Sequence, residues 1–330
     1  MTTKELLQQP KLDLHCHLDG SFPPALIHKL VNQTSPQSLE AVTQKLQVPE
    51  NCQNLGEYLQ CFDLPIACMQ TPQAVEAGAY QFVQSLQAEH IIYAEVRFAP
   101  VLFANRDFTE EQALECALAG LRRGQEEFAI PVNTIVCALR HFSHEENAKT
   151  FRIAKDYQAY GVCAVDLAGN EAAFPTAEFA PLFALANALE LPFTIHAGEC
   201  KSAQSIRDAM AFGAKRIGHG IAMAGDLELQ AHCVAQGIGV EMCPISNYQT
   251  KAVEPDQPYP LAEFLQAGIC ATVNTDNRTV SDTSLSKEFS FLQDRFGFTP
   301  EDLRKVTNNA ITCAFASDDV KQSLWKQVNG

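Results

Sequence analysis

Two histidines near the beginning of the chain, His15 and His17, are separated by a single residue. They end the run LDLHCH, residues 12–17, in which apolar residues alternate with other residues as they do in a β-strand. Side chains two residues apart in a strand project from the same face, so both imidazoles would point in one direction. Two imidazoles on one face either pack in the core or form half of a metal site, and the rest of the chain has to decide between these alternatives.

Three further residues with metal-ligating side chains stand at the ends of strand-like segments. His196 comes from PFTIHAGE, His219 from RIGHG and Asp276 from CATVNTD. A single histidine at a strand end is more often a structural residue, but three neutral imidazoles and one carboxylate form a set that suits Zn²⁺. We assign no site role to the remaining histidines, which are His28, His90, His141, His144 and His232.

The segments that would position these residues follow one another in a strand-then-helix order. Eight strand-like runs, apolar for nearly their whole length, occupy residues 12–17, 91–98, 132–139, 162–169, 192–199, 216–220, 239–244 and 270–276. Helix-like segments separate them, and two have clear starts: Thr109 as an N-cap, and Thr299 as an N-cap followed by Pro300. Eight such units predict an α/β fold, a (β/α)8 TIM barrel, in which catalytic residues come from the C-terminal ends of the strands. A doubly wound sheet is the alternative, but no Gly-rich phosphate loop follows an early strand.

The interval between the first two strands, residues 18–90, is unusually long. Its sequence has helical patterns, and an insertion after a barrel strand lies at the C-terminal face. We therefore expect a helical lid over the site. No repeat, low-complexity tract or linker interrupts the chain, so we expect residues 1–330 to form a single domain.

Composition excludes several classes of partner. The net charge of −15 argues against nucleic-acid backbones and anionic membranes, and leaves a neutral small molecule as the expected partner. No apolar run is long enough to span a membrane, and the N-terminal residues lack the apolar segment of a secretory signal. The 12 cysteines are therefore expected to be reduced, in a cytoplasmic protein. Nothing in the sequence indicates the oligomeric state.

A series of short motifs resembles the signature set of the adenosine deaminase family, within the metal-dependent amidohydrolases. In chain order the motifs are LHCHLDGS, VRFAP, VDLAGNE, HAGE, RIGHG, CPISN and NTDN. The match extends over residues 10–316, nearly the whole chain. The resemblance implies a zinc-dependent hydrolase that converts adenosine and 2′-deoxyadenosine into inosine and 2′-deoxyinosine, with release of ammonia.

The resemblance also implies roles for the residues at the strand ends. It assigns one Zn²⁺ per chain, with a water at the open position, to His15, His17, His196 and Asp276. Glu199 would give a proton to purine N1, which requires a carboxylic acid whose pKa is raised by burial. His219 would orient the activated water and take or share its proton.

Contacts with the purine base are implied by two further motifs. Gly169 matches the glycine whose backbone N–H meets purine N3, and glycine permits a close approach of the backbone. Asn277 replaces a second aspartate that many members carry, and its amide NH₂ can donate to N7 without a pKa adjustment. Arg278 follows where many members have proline. Ser246 and Asn247, in CPISN, receive no assigned contact.

The sugar would meet residues near the first strand and in the insertion. Asp19 matches the residue that contacts the ribose 5′-hydroxyl beside His17, whereas adenine deaminases tend to carry glutamate there. Leu59 and Phe62, one helical turn apart, would form an apolar wall over the sugar, although the same spacing marks any helix face that packs in a core. Asp19 therefore favours a nucleoside over free adenine. Adenine deaminase and aminodeoxyfutalosine deaminase are the alternative activities within the family.

Three more distant alternatives are disfavoured. A two-metal amidohydrolase usually has a bridging lysine or glutamate at the end of strand four, and VDLAGNE has no lysine. A nucleic-acid deaminase needs an HxE motif together with PCxxC, and this pair does not occur. A protein that only binds zinc would close the site with four protein ligands and would have no use for Glu199 and His219.

Overall fold

Eight parallel strands form the centre of the molecule. The computed structural model describes the backbone of residues 1–330 and every side chain except that of Thr3. Within these residues the strands are β1 (Lys11–His17), β2 (Ile91–Phe98), β3 (Val132–Leu139), β4 (Val162–Ala168), β5 (Thr194–Ala197), β6 (Arg216–His219), β7 (Gly239–Met242) and β8 (Cys270–Val273). Each is buried over nearly its whole length, which explains why these segments are apolar in sequence.

The helices that follow and separate the strands cover the outside of the sheet and one of its ends. They are α1 (Thr3–Gln8), α2 (Pro24–Val31), α3 (Leu39–Leu46), α4 (Leu55–Leu59), α5 (Asp63–Cys68), α6 (Pro72–Gln87), α7 (Glu110–Phe128), α8 (His144–Asp156), α9 (Ala180–Ala188), α10 (Ala203–Phe212), α11 (Leu227–Gln236), α12 (Pro244–Gln249), α13 (Leu261–Ala267), α14 (Leu285–Phe296), α15 (Pro300–Cys313) and α16 (Asp318–Asn329). Thr109 and Thr299 cap α7 and α15 as predicted, since each side chain accepts a hydrogen bond from the backbone of the first turn. None of the helices in the described part of the chain is long and apolar enough to cross a bilayer.

The strands close into a barrel. They pair in parallel in two runs, β1 to β4 and β5 to β8. Two bridges join the runs: Val165 pairs with Phe193 on one side, and Cys16 pairs with Asp276 on the other. At the second junction His17 donates its N–H to the Asp276 carbonyl at 2.6 Å, and Asp276 donates to the His15 carbonyl at 2.8 Å. The predicted (β/α)8 barrel is confirmed.

The later strands are shorter than the sequence suggested. The predicted strands over residues 192–199 and 270–276 end at Ala197 and Val273. The expectation that Asp276 closes strand eight is therefore wrong in its boundary, because Asp276 lies in the loop beyond it. Its φ of 57° is in the left-handed region, which a β-strand does not adopt. His219, the last residue of β6, has a similar φ of 63°.

The long interval after β1 contains five helices within the described residues, α2 to α6. The last of these, α6, packs along α7 in the outer ring. Gly120 on α7 makes this packing close, because a Cβ there would lie 2.2 Å from the Glu76 carbonyl oxygen. The segment carrying α4 and α5 is tied to the loop after β8, since the hydroxyls of Tyr58 and Ser281 are 2.6 Å apart.

Candidate active site

The residues predicted as metal ligands converge where β1, β5 and β8 end. One ligand atom from each of His15, His17, His196 and Asp276 lies within 4.8 Å of the others. Nε2 of His17 is 3.1 Å from Nε2 of His196, and Asp276 Oδ1 is 3.4 Å from His15 Nε2 and 3.5 Å from His17 Nε2. Three imidazole nitrogens and a carboxylate oxygen facing a common point form a candidate metal site.

Two buried carboxylates contact the far nitrogens of the ligand histidines. Glu241 Oε2 accepts a hydrogen bond from His15 Nδ1 at 2.7 Å, and Asp166 Oδ2 lies 2.9 Å from His196 Nδ1. A carboxylate at Nδ1 places the proton there and leaves the lone pair of Nε2 for a metal. Nε2 of His15 is buried and has no hydrogen-bond partner within the described residues. The donor set and this open nitrogen both fit a bound cation.

A single guanidinium connects the two carboxylates. Arg97 donates through one nitrogen to Asp166 at 2.9 Å and through another to Glu241 at 2.8 Å, and all three side chains are fully buried. Burial raises the pKa of Glu241, but the charges of Arg97 and Arg216 outweigh this effect and hold the pKa well below its ordinary value. Both carboxylates are therefore ionised beneath the ligand histidines. We predicted no role for these three residues, although each is a charged residue within an apolar strand.

Asp276 is oriented by a residue of α12. Ser246 donates its hydroxyl to Asp276 Oδ2 at 2.6 Å, which leaves Oδ1 directed at His15 and His17. The unassigned serine of CPISN thus fixes the rotation of the carboxylate that belongs to the ligand cluster.

His219 lies beside the ligand cluster, and its neighbours define its tautomer. Tyr259 donates its hydroxyl to Asn247 Oδ1 at 2.8 Å, which turns the Asn247 NH₂ toward His219 Nδ1 at 2.9 Å. Nδ1 must therefore accept, and the proton of the neutral ring is on Nε2. Burial lowers the pKa of His219 well below its ordinary value, so the ring is neutral near pH 7.

Glu199 faces His219 from the loop after β5. Its Oε2 is 3.6 Å from His219 Nε2, and its side chain is buried. Burial, reinforced by the negative charges of Asp276 and Glu171, raises the pKa of Glu199 to about 8. The site therefore contains a carboxylic acid that retains its proton at neutral pH.

A cavity of about 420 Å³ opens next to these groups, within the range typical of small-molecule sites. Its floor includes His17, Glu199 and Asp276, and Leu59 and Phe62 line it from the segment around α4 and α5. Other residues of the interval after β1, such as Tyr58 and Ile66, also line the cavity. The wall over a sugar and the lid stay predictions.

The expected substrate contacts line the same cavity. Asp19, Gly169 and Asn277 all face it. Burial raises the pKa of Asp19 to about 7, and its Oδ1 has no hydrogen-bond partner within the described residues. Gly20 makes room for Asn277, since a Cβ at Gly20 would lie 1.9 Å from the amide oxygen.

One of the pocket residues without a predicted role is His141. It follows β3 and lines the cavity. A methyl group placed on Gly169 would lie 3.9 Å from His141 Nδ1, so the two residues are neighbours at the rim. The only sequence signal was its position just past a strand end, where active-site residues of a barrel are found.

The arrangement agrees with comparisons to known proteins. The sequence model of the family described as adenosine deaminase matches residues 10–330. An adenosine deaminase of Enterococcus faecalis is 38% identical over 332 residues, covering 100% of this chain and 98% of that protein. An adenosine deaminase of Vibrio atlanticus is 39% identical over 324 residues, covering 97% of this chain and 98% of that protein.

Solved structures show the same fold. The N6-mAMP deaminase of Arabidopsis superimposes with a TM-score of 0.87 at 25% identity, covering 99% of both chains. An adenine deaminase of Arthrobacter aurescens shares the fold, with a TM-score of 0.88 at 24% identity, covering 97% of this chain and 98% of that chain. From the family match and the full-length relatives, the chain belongs to the adenosine deaminase family.

Proposed function

We propose that this chain is a zinc-dependent hydrolase that deaminates adenosine and 2′-deoxyadenosine to inosine and 2′-deoxyinosine, with release of ammonia. One observation carries the proposal: the buried carboxyl group of Glu199 and the imidazole of His219 lie 3.6 Å apart beside the ligand cluster, in one cavity. A site that only held a metal would not need an acid with a raised pKa. The names of the full-length relatives support adenosine as the substrate.

The metal would be held by His15, His17, His196 and Asp276. When bound, Zn²⁺ supplies a Lewis acid that lowers the pKa of a water molecule toward neutrality. Asp276 would also accept a hydrogen bond from that water. Ser246 holds Oδ2 of Asp276, which leaves Oδ1 as the oxygen that would face both the metal and its water.

Glu199 and His219 act on the two reacting partners. Glu199 donates its proton to purine N1, and the positive charge on the ring makes C6 an electrophile for water. The family resemblance implies two roles for His219, which are orienting the water and accepting its proton. We propose the orienting role, because Asn247 occupies Nδ1 and the Nε2–H can only donate. The proton that the water loses would pass to the carboxylate of Asp276 and leave with the amino group as ammonia, and the proton of the new C6 hydroxyl would restore the acid form of Glu199.

The purine would be recognised at two ring nitrogens. The N–H of Gly169 meets N3, and the NH₂ of Asn277 meets N7. Both residues line the cavity beside Glu199, as binding of one planar base requires. An amide donor at N7 has no pKa in the working range, so this contact persists at alkaline pH.

The sugar would lie against Asp19 and His17, under Leu59 and Phe62. Asp19 is buried and has an unpaired oxygen, so a hydroxyl at the 5′ position would satisfy it. The apolar side chains of Leu59 and Phe62 cover the hydrophobic face of the ribose and help to exclude water.

We further propose that residues 1–330 work as one domain in the cytoplasm, with a purine nucleoside as partner and neither nucleic acid nor membrane. The barrel uses both its first and its last strand at the site, which supports one domain. All 12 cysteines are free in the structure, which supports a reducing compartment. The net charge of −15 opposes binding to polyanions.

The function is tested by measuring ammonia release from adenosine, 2′-deoxyadenosine, adenine and aminodeoxyfutalosine under identical conditions. We expect the highest kcat/KM for the two nucleosides. A kcat/KM for adenine equal to or above that for adenosine would identify an adenine deaminase with an unusual aspartate at position 19. Turnover of aminodeoxyfutalosine alone would identify the third activity.

The purified protein is expected to contain one zinc per chain, because one set of four ligands meets at one point. Elemental analysis of protein prepared without added metal checks the number. Removal of the ion with a chelator should abolish ammonia release, and stoichiometric Zn²⁺ should restore it. Two metals per chain, or none, would contradict this expectation.

Asp166→Asn is expected to weaken zinc binding by about 10–100-fold, the usual cost of losing a carboxylate that orients a ligand histidine. The amide is nearly isosteric, but it carries no charge to fix the tautomer of His196. Competition with a chromogenic chelator measures the affinity without reference to activity. The exposed Asp156→Asn, at the end of α8, is the matched control.

A further inference from the structure

Glu171 is a buried carboxylate that the proposed chemistry does not use. It ends the motif VDLAGNE, two residues after Gly169, and only 4% of its surface is exposed. A charged group in such a place is costly unless polar partners compensate it. Its partners lie in the loop that carries Glu199.

Both carboxylate oxygens of Glu171 bind that loop. Oε1 accepts the N–H of Gly198 at 2.8 Å, and Oε2 accepts the N–H of Cys200 at 3.1 Å. Both oxygens of Glu171 are therefore used in binding this loop. The two bonds enclose Glu199, whose own backbone lies between the two donors.

The backbone of the loop that carries Glu199 has little conformational freedom. Gly198 has a φ of 84°, and a Cβ there would lie 2.5 Å from the Ile206 side chain, so this turn requires glycine. On the strand side, Arg140 donates to the carbonyl of His196 at 2.7 Å. The segment from His196 to Cys200 is thus fixed by side chains at both ends.

We propose that Glu171 is a positioning residue, which holds the loop on either side of Glu199 and so aims the carboxyl group of Glu199 at purine N1. It touches neither substrate nor metal ligand in this arrangement. The inference rests on the proposed function, since it assigns Glu171 to the proton transfer proposed for Glu199. A displacement of about 1 Å in such a group can lower a rate about 10²-fold.

The charge of Glu171 has a second effect, which supplies a diagnostic measurement. After burial and Asp276, it is the next contributor that raises the pKa of Glu199. Removal of this charge lowers that pKa, so Glu199 loses its proton at a lower pH. The alkaline limb of the kcat profile should then move to lower pH, which a purely structural role would not produce.

The experiment compares Glu171→Gln, which keeps the length and removes the charge, with Glu171→Asp, which keeps the charge and shortens the side chain. We expect kcat to fall about 10–100-fold in each, with KM for adenosine changed less than threefold. The alkaline limb should move to lower pH in Glu171→Gln alone. The exposed Glu178→Gln, from the same connection, is the control and should match the wild type.

The other titratable groups around Glu199 are the same in every variant. A shift of the alkaline limb of the kcat profile is therefore assigned to the change at Glu171. These other groups are His15, His17, His196, His219 and Asp276 in the site, Arg140 beside Glu171, and Cys200, Lys201, Lys251 and Glu254 in the adjoining surface pocket.

Three results would overturn the inference. A kcat within twofold of wild type in folded Glu171→Gln would show that Glu199 needs no such support, and so would an equal limb position in all variants. Failure of both substitutions to fold would assign Glu171 to stability instead. A wild-type protein that releases no ammonia from adenosine would contradict the proposed function itself, so the two failures are distinguishable.

Discussion

Glu199→Gln is expected to lower kcat for adenosine by about 10²–10⁴-fold while zinc content and thermal stability stay near those of the wild type. Glutamine has the same shape and fits the same buried position. Its amide cannot transfer a proton to purine N1, so C6 stays a poor electrophile. Initial rates of ammonia release, with zinc content measured on the same samples, check the prediction.

The pH dependence follows from the same residue. The acid form of Glu199 is the active one and its pKa is about 8, so kcat should be highest below that pH. Above it, kcat should fall as the carboxyl group ionises.

The control for Glu199→Gln is Glu228→Gln, an exposed substitution on α11. Near wild-type kcat in Glu199→Gln would remove Glu199 from the mechanism.

Asp19→Ala is expected to reduce the preference for adenosine over adenine, mainly by damaging turnover of adenosine. Sites built to bond a hydroxyl reject an analogue without it by about 10⁴-fold, because a buried polar group is left unpaired. Asp19 has such an oxygen. Alanine removes the hydrogen bond to the sugar hydroxyl of adenosine, and it also removes the cost of an unpaired buried oxygen when adenine is bound. Binding energy from the sugar also acts at C6, so kcat as well as KM should change for adenosine.

The measurement is kcat/KM for adenosine, 5′-deoxyadenosine and adenine with both proteins. The wild type should discriminate strongly against 5′-deoxyadenosine, and Asp19→Ala should treat it much like adenosine. The exposed Asp256→Ala tests for effects of surface charge alone. An unchanged ratio between adenosine and 5′-deoxyadenosine would show that Asp19 does not contact the 5′ position.

The strand order and the ligand positions could be predicted because both correspond to patterns in the sequence. Apolar runs give the bounds of β2 and β3 as the structure has them. The ends of β5 to β8 were predicted one to three residues too late, because the predicted segments continued into the loop residues that follow each strand, among them Glu199 and Asp276. The left-handed backbone of His219, which ends β6, has no hydrophobic signature in the sequence.

The buried charged residues that contact the ligand histidines could not be predicted, for a different reason. Arg97, Asp166 and Glu241 come from β2, β4 and β7, and nothing local indicates that they meet. A charged residue in an apolar strand signals a buried polar partner, but the sequence does not identify the partner. Likewise His141 was missed because its place at the rim depends on the path of the loop after β3.

The junction between β1 and β8 has a consequence for biosynthesis. His15 and His17 belong to the first strand, and Asp276 follows the last, where their backbones exchange hydrogen bonds. A nascent chain still emerging from the ribosome presents the two imidazoles early, but the carboxylate arrives only after β8. Contacts between such distant parts of a chain form late in folding. The complete ligand set therefore exists only after the chain has been made beyond β8 and the barrel has closed, so binding of the ion would depend on closure of the barrel.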